Sequence, residues 1–313
     1  MGKCAVSEHA ESVTPQARRL RWSEREPAAA AVAYVLSYLL LSIGGQAASY
    51  VRLPVIALAL LALVVAIGTL LFSLLLVLSI SRLRVRAWAE VAWLFGMLAL
   101  FVFARPDAAA IVGRWLGDPA GGKRIAEFLT ITPEQALIGN AALILWAVFL
   151  GRLVSRVIRE GKLLLPVAVV ASIADTITVF YGLVAHMVRE APEVVRTFST
   201  QAPVPPPSAV SMPVLTSVGL GDFLFLAMFL TVAVRYSMNA VKGMWAALVA
   251  MLVAPLAFLV WPEAPGMPGL PFISLAVLGA NWRHLTFTRD EKRALTVVGT
   301  LVLAVSAWVL WRH

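Results

Sequence analysis

Long apolar runs separated by short basic segments make up most of this 313-residue sequence. A bilayer core about 30 Å thick is crossed by roughly 17 to 25 helical residues. The pattern therefore predicts an all-α fold, a polytopic membrane bundle of about nine transmembrane helices, of which the eighth is short and interrupted by proline. The predicted spans lie near 28–48, 54–80, 87–104, 136–155, 163–188, 212–235, 240–261, 267–282 and 294–311.

Composition supports the same class of protein. Hydrophobic residues make up 60% of the chain and charged residues 14%, and the mean hydropathy is +0.86. A soluble domain of this length would need far more polar residues, so we expect no separate soluble domain. The single cysteine, Cys4, excludes an intrachain disulfide and a cysteine metal cage. The four histidines are scattered, so we expect no metal site and no cofactor.

Charge indicates an orientation in the membrane rather than a nucleic-acid partner. The net charge is +9, yet the basic residues flank the apolar runs instead of covering one soluble face. With the N-terminus in the cytoplasm, 18 of the 26 Lys and Arg residues fall on the cytoplasmic side, as the positive-inside rule requires. The arginine-rich, alanine-rich composition favours a prokaryotic cell (inner) membrane.

The chain divides into four regions along its length. They are a polar tail at 1–27, a scaffold of four transmembrane helices at 28–158, a segment with the most unusual residues at 159–282, and a cytoplasmic loop with an additional C-terminal helix at 283–313. A proline-rich connector at 189–211 lies within the third region. Because proline cannot continue either flanking helix, the connector is predicted to run extended.

Two aspartates, Asp175 and Asp222, stand in the middle of the fifth and sixth apolar runs. A carboxylate in hydrocarbon is costly, so an acid at this depth indicates function more than packing. Asp175 lies 13 residues after Lys162, and Asp222 lies 13 residues before Arg235. Both are therefore about 20 Å from the cytoplasmic anchors. Leu270 is also 13 residues from its anchor, so the three features are predicted to share one layer.

Two carboxylates in one layer can act together in acid–base chemistry. They cannot both ionise cheaply, so the pair shares one proton. The charged member can activate a water molecule, while the protonated member polarises a carbonyl and later protonates the leaving amine. This is the chemistry of aspartic proteases.

Glycine and proline residues accompany Asp222 and Leu270. Gly219 and Gly221 would let the sixth helix approach a neighbour closely or open locally for a substrate. Pro268 and Pro271 restrict the backbone and leave polar groups that need a partner at this depth. The same two prolines also fit an ordinary helix start.

The motifs resemble those of presenilins and signal peptide peptidases, the GxGD intramembrane aspartyl proteases. VGLGDFLFLAMF resembles the GxGD signature, and PGLPFISL resembles the PAL motif, in the family's order after a first aspartate. The resemblance covers about 163–282. It implies a presenilin-like bundle in which Asp175 and Asp222 cut peptide bonds within transmembrane proteins or signal-peptide substrates, without a cofactor. The implied substrate-binding residues are Gly219, Leu220, Gly221, Pro268, Gly269, Leu270 and Pro271.

Two positions and the helix count depart from the family pattern. Ala174 stands where the family usually has tyrosine, and Gly269 stands where it has alanine, a change that we expect to be milder. The aspartate helices are the fifth and sixth instead of the sixth and seventh, and an additional helix follows the PAL-like one. Cytoplasmic anchors on both sides of the pair predict an outward-facing connector, as in signal peptide peptidases and opposite to presenilins.

Other functions are compatible with the same residues. A proton or cation transporter or channel would also place paired aspartates in the membrane. A prepilin peptidase also uses a GxGD sequence, and an inactive scaffold or chaperone would retain the fold. The sequences HExxH and GxSG are absent, so zinc and serine intramembrane proteases are not indicated. Glu90 lies near Arg86 at the edge of a run, where we expect a snorkelling ion pair.

Overall fold

The computed structural model of the chain describes residues 25–47, 54–105, 133–180, 192–201, 217–254 and 268–289, with single positions between 108 and 117 and at 190, 293, 296 and 300. These residues are mostly α-helical, as the apolar runs predict. The predicted polar tail up to residue 24 lies outside the described residues. So does the ninth predicted span, 294–311, except for single helical positions.

Helices account for most of the described chain, with two short strands between the sixth and seventh of them. Two 3₁₀ turns, Gly161–Leu163 and Trp282–His284, precede α5 and follow α9. The helices are α1 (Arg25–Ala47), α2 (Val55–Arg82), α3 (Ala87–Ala104), α4 (Pro133–Ser155), α5 (Leu164–Phe180), α6 (Pro192–Thr197), α7 (Leu220–Arg235), α8 (Ala240–Val253) and α9 (Leu270–Asn281), and the strands are β1 (Ser199–Gln201) and β2 (Ser217–Gly219).

Five helical segments of the described chain are long and apolar enough to cross a membrane, which is compatible with a multi-pass membrane protein. They correspond to the first five predicted spans, and α8 is a shorter apolar helix. The five segments are Glu26–Gly45, Leu60–Arg82, Ala87–Ala104, Leu137–Ser155 and Gly161–Phe180.

Helix α7 lies at the centre of the bundle. It packs against α2, α4, α8 and α9, and every side chain from Leu226 to Ala233 is buried. A helix covered on all sides must be apolar on all faces, as this segment is. On the α4 side the two backbones meet at Gly151, where an added Cβ would lie 3.0 Å from the Cβ of Ala227 and closer still to the carbonyl oxygen of Leu224. The regions 28–158 and 159–282 therefore share one core.

A buried ion cluster joins α2, α3 and α4 at the cation-rich end of the bundle. Arg152 donates to Glu90 at 2.8 Å and to two carbonyl oxygens at the end of α2, and the two side chains are 5% and 2% exposed. Arg156 donates to the second Glu90 oxygen at 2.7 Å, a bond that raises the pKa of Arg156. Arg235, the last residue of α7, donates to the last carbonyl of α4 at 2.9 Å. Glu90 is thus buried in an ion cluster instead of snorkelling beside Arg86.

The segment between α5 and α7 differs from its prediction. Residues Pro192–Thr197 form a short helix instead of extended chain, with Pro192 at a first position where its missing N–H removes no intrahelical bond. Strands β1 and β2 pair antiparallel, with Ser199 opposite Gly219. The helix after them begins at Leu220, eight residues later than the apolar run predicts. Residues 202–211 of the connector lie outside the described residues.

Candidate active site

Asp222 lies in the first turn of α7, directly after strand β2. Gly219 is the last residue of β2 and also the N-cap of α7, with φ −65° and ψ 145°. The carboxylate of Asp222, the third residue of the helix, accepts a hydrogen bond from the backbone N–H of Gly219. This contact is the acidic half of a capping box. It fixes the carboxylate beside the end of the sheet.

Asp175 lies in the fourth turn of α5 and is partly buried. One of its carboxylate oxygens, Oδ2, accepts a hydrogen bond of 3.1 Å from the backbone N–H of Leu270. Leu270 is the first residue of α9, so its N–H is one of the donors that an α-helix cannot pair internally. The aspartate of one helix therefore caps the start of another, and this contact fixes α9 against α5.

The segment Gly269–Leu270 contacts both aspartates. Leu270 donates to Asp175, while an added Cβ on Gly269 would lie 2.8 Å from both Cγ and Oδ2 of Asp222. The two carboxylates also interact electrostatically. Helix α9 packs against α5 and α7 and lies between the two aspartate helices. The three features that the depth count predicts in one layer do come together.

The PAL-like segment has the form of a helix start. Pro268 and Leu270 are buried, Pro271 stands in the first turn of α9, and the carbonyl of Gly269 accepts a hydrogen bond of 3.1 Å from the N–H of Ile273. The local backbone is therefore that of an ordinary helix start with proline in the first turn, the second of the two interpretations of these prolines. The N–H of Leu270 already has Asp175 as its partner.

The remaining predicted substrate-binding residues surround Asp222. Gly221 is exposed. Among the described residues, an added Cβ on Gly221 would meet nothing within 4 Å, and one on Gly219 would meet only Asp222. Close helix approach is therefore not the role of these two glycines, and local opening is the alternative that the geometry allows. Leu220 packs against a small buried cluster of α3 and α4 that includes Phe101. Ala174, in place of the family tyrosine, is exposed.

Sequence reasoning missed three features of the bundle. It missed the β1–β2 pairing, the close approach at Gly151, and the ion cluster around Arg152. An arginine inside the fourth apolar run was the available signal for the last of these, since a cation at that depth needs a buried partner. Within the described residues, no three His, Cys, Asp or Glu side chains come close enough to hold a metal ion.

Comparison with family models, with curated proteins and with solved structures gives no match for this chain. The class of protein is therefore defined by its own fold and geometry. It is a helical protein compatible with several membrane spans, in which two aspartates from different helices meet at the start of a third helix.

Proposed function

We propose that the chain is an intramembrane aspartic protease, which hydrolyses peptide bonds within transmembrane segments by means of Asp175 and Asp222. The observation that carries the proposal is the contact of both carboxylates with Gly269–Leu270. Acids on two helices that lie against one short backbone segment act on the same small volume. A pair of carboxylates that shares one proton is the chemical requirement of aspartic proteolysis.

The reaction needs only the dyad and one water molecule. The ionised aspartate takes a proton from water, whose oxygen attacks the scissile carbonyl carbon, while the protonated aspartate gives its proton to the carbonyl oxygen. The tetrahedral intermediate then collapses. The C–N bond breaks, and the leaving nitrogen takes the proton that the first aspartate had removed. One of the two hydroxyl protons of the intermediate passes to the second aspartate, which returns the pair to its singly protonated state, and the other stays on the new carboxyl group.

A helical substrate must be unwound before its peptide bond reaches the dyad, because the helix covers its own backbone. Extended backbone at membrane depth in turn needs hydrogen-bond partners. The two-stranded sheet is our candidate for such partners, because it ends at Gly219, three residues before Asp222. We assign substrate pairing to this sheet by strand addition. Pro268 and Pro271 then serve mainly to start α9, because the N–H of Leu270 is bonded to Asp175.

We further propose a bundle of about nine helices in a prokaryotic inner membrane with a cytoplasmic N-terminus. Basic residues before α5 and after α9 support this orientation. A strand added to a fixed sheet edge has a defined direction, so the orientation of the site selects the orientation of the substrate. Type II transmembrane proteins and signal-peptide remnants, whose N-termini face the cytoplasm, are the expected substrates.

The proposal is tested with purified protein in liposomes and a transmembrane peptide whose products are identified by mass spectrometry. Asp175→Asn and Asp222→Asn should each abolish cleavage, because neither carboxylate can perform both roles. Glu160→Gln, which removes an exposed acid at a helix start, is the matched control and should cleave like the wild type. A transition-state inhibitor of aspartic proteases should block the wild type.

Normal turnover in either asparagine variant would remove that aspartate from the catalytic pair. Absence of cleavage by the wild type, together with proton or cation flux that requires both aspartates, would identify a transporter or channel instead.

A further inference from the structure

A second candidate site lies away from the aspartates, in a cavity of about 490 Å³ at the cation-rich end of the bundle. It opens between the first turns of α1 and the last turns of α2. Glu26, Arg82 and Arg84 line it, together with Tyr34 and the leucines Leu75 and Leu78. The cavity is separate from the contacts of the proposed dyad, so an inference about it does not depend on protease activity.

The lining changes from charged to apolar along the helix axes. Tyr34 is eight residues further along α1 than Glu26, and Leu75 is seven residues before Arg82 on α2. These separations correspond to about 12 and 10 Å at 1.5 Å per residue. The cavity therefore has a charged mouth and an apolar interior about two helical turns apart.

This gradient matches one class of membrane molecule. A soluble anion would contact the charged mouth but not the apolar interior, and a purely apolar molecule would contact the interior but not the charged mouth. A glycerophospholipid has a phosphate, then ester groups, then hydrocarbon over the same distance. Guanidinium groups bind phosphate well because of their planar set of donors, and basic pockets between helices are known headgroup sites.

The charge of the mouth selects among headgroups. Among the described lining residues, two arginines and one glutamate give a formal charge of +1, which complements a phospholipid of charge −1. A headgroup with free hydroxyls can also donate hydrogen bonds to the Glu26 carboxylate, whereas a trimethylammonium headgroup cannot. We propose that this cavity binds an anionic, hydroxyl-bearing phospholipid of the phosphatidylglycerol type, with its phosphate on Arg82 and Arg84.

Native mass spectrometry of the detergent-purified full chain, titrated with phosphatidylglycerol, tests the site. The double variant Arg82→Gln/Arg84→Gln should bind roughly thirtyfold more weakly, since each juxtamembrane arginine contributes about fivefold. The double variant Arg283→Gln/Arg289→Gln removes the same charge from exposed positions outside the cavity and is the matched control. It should bind within about threefold of the wild type because general attraction alone is reduced.

A second variant tests the apolar part without changing charge. Ala30 lines the cavity, and Ala30→Phe should fill it and weaken binding at least as much as the arginine variant. Equal loss in the two arginine double variants, or unchanged binding by Ala30→Phe, would overturn the proposal. Equal affinity for phosphatidylcholine would do the same, and displacement of the lipid by millimolar glycerol phosphate would identify a soluble phosphate as the ligand instead.

Discussion

Replacing Gly269 by alanine tests the proposed dyad most directly. An added Cβ would lie 2.8 Å from Cγ of Asp222, whereas carbon atoms in ordinary contact lie about 3.5 to 4.0 Å apart. The carboxylate must therefore move away by at least about 0.7 Å, the difference between the shortest ordinary contact of about 3.5 Å and the 2.8 Å found here. A displacement on the order of 1 Å between reacting groups costs up to about 100-fold in rate. We expect kcat of Gly269→Ala to fall about tenfold to a hundredfold, which is about 1.4 to 2.7 kcal/mol.

The fold of this variant should be intact. Gly269 has φ −77° and ψ −35°, ordinary values for any L residue, so alanine introduces no backbone strain there. Gly279→Ala, in the same helix α9, is the control because an added Cβ would meet nothing within 4 Å. It should cleave at the wild-type rate and gain about 0.5 to 1 kcal/mol of stability, as expected for glycine to alanine inside a helix.

The assay is the initial rate of cleavage of a quenched fluorescent transmembrane peptide in liposomes, with thermal unfolding measured for each protein. A folded Gly269→Ala variant with a rate within twofold of the wild type would refute the geometric reasoning. Equal losses in the Gly269 and Gly279 variants would also refute it, since only the first added methyl group contacts Asp222. Glycine in place of the alanine of the PAL motif, which we expect from the sequence to be a mild change, is thus tied in this chain to the position of a carboxylate.

Three further outcomes are expected. Glu90→Gln should destabilise the protein by about 3 to 5 kcal/mol because it leaves Arg152 as a buried charge without its acid. Glu160→Gln removes an exposed acid whose partner Lys162 is partly exposed, and it should change stability by less than about 1 kcal/mol in the same thermal unfolding measurement. Gly151→Ala should lower the free energy of unfolding by about 1 to 3 kcal/mol, because the added methyl group meets the backbone of α7. An equal loss of stability in Gly96→Ala, where the added Cβ meets nothing within 4 Å, would contradict this prediction. An introduced Ser208→Cys should react with an impermeant thiol reagent on intact cells if the connector faces outward, and labelling only after permeabilisation would reverse the proposed orientation.

The sequence predicts the positions of the five described membrane-length helices for a simple physical reason. A span must satisfy its backbone internally and bury apolar side chains, so hydropathy and length locate it. Hydropathy and length do not locate the start of α7, because the residues before it, 212–219, are mostly apolar as well. Hydropathy cannot distinguish a buried strand from a helix over so few residues.

The candidate site is only partly predictable from sequence. Counting residues from charged anchors predicts that Asp175, Asp222 and Leu270 share a layer, because the rise of an α-helix is constant. The contact of Gly269 with Asp222 is not predictable in this way. A glycine acts there through the side chain that it lacks, and only coordinates show which atom occupies the space.

Gly219 connects the two halves of the proposed mechanism. Gly219 is the last residue of β2, where it pairs with Ser199. It is also the N-cap of α7, and its own backbone N–H donates a hydrogen bond to the carboxylate of Asp222. A substrate strand that joined this sheet would therefore lie in the same sheet as the residue that positions the carboxylate of Asp222. An ordinary helix that continued back to residue 212 would keep its backbone bonds internal, and it would offer nothing to an unwound substrate at this depth. The late start of α7 at Leu220 thus places the end of strand β2 and the carboxylate of Asp222 within four residues of each other. Under the proposed function, the strand that replaces the first turns of the predicted helix allows an extended substrate to reach the two aspartates inside the bundle.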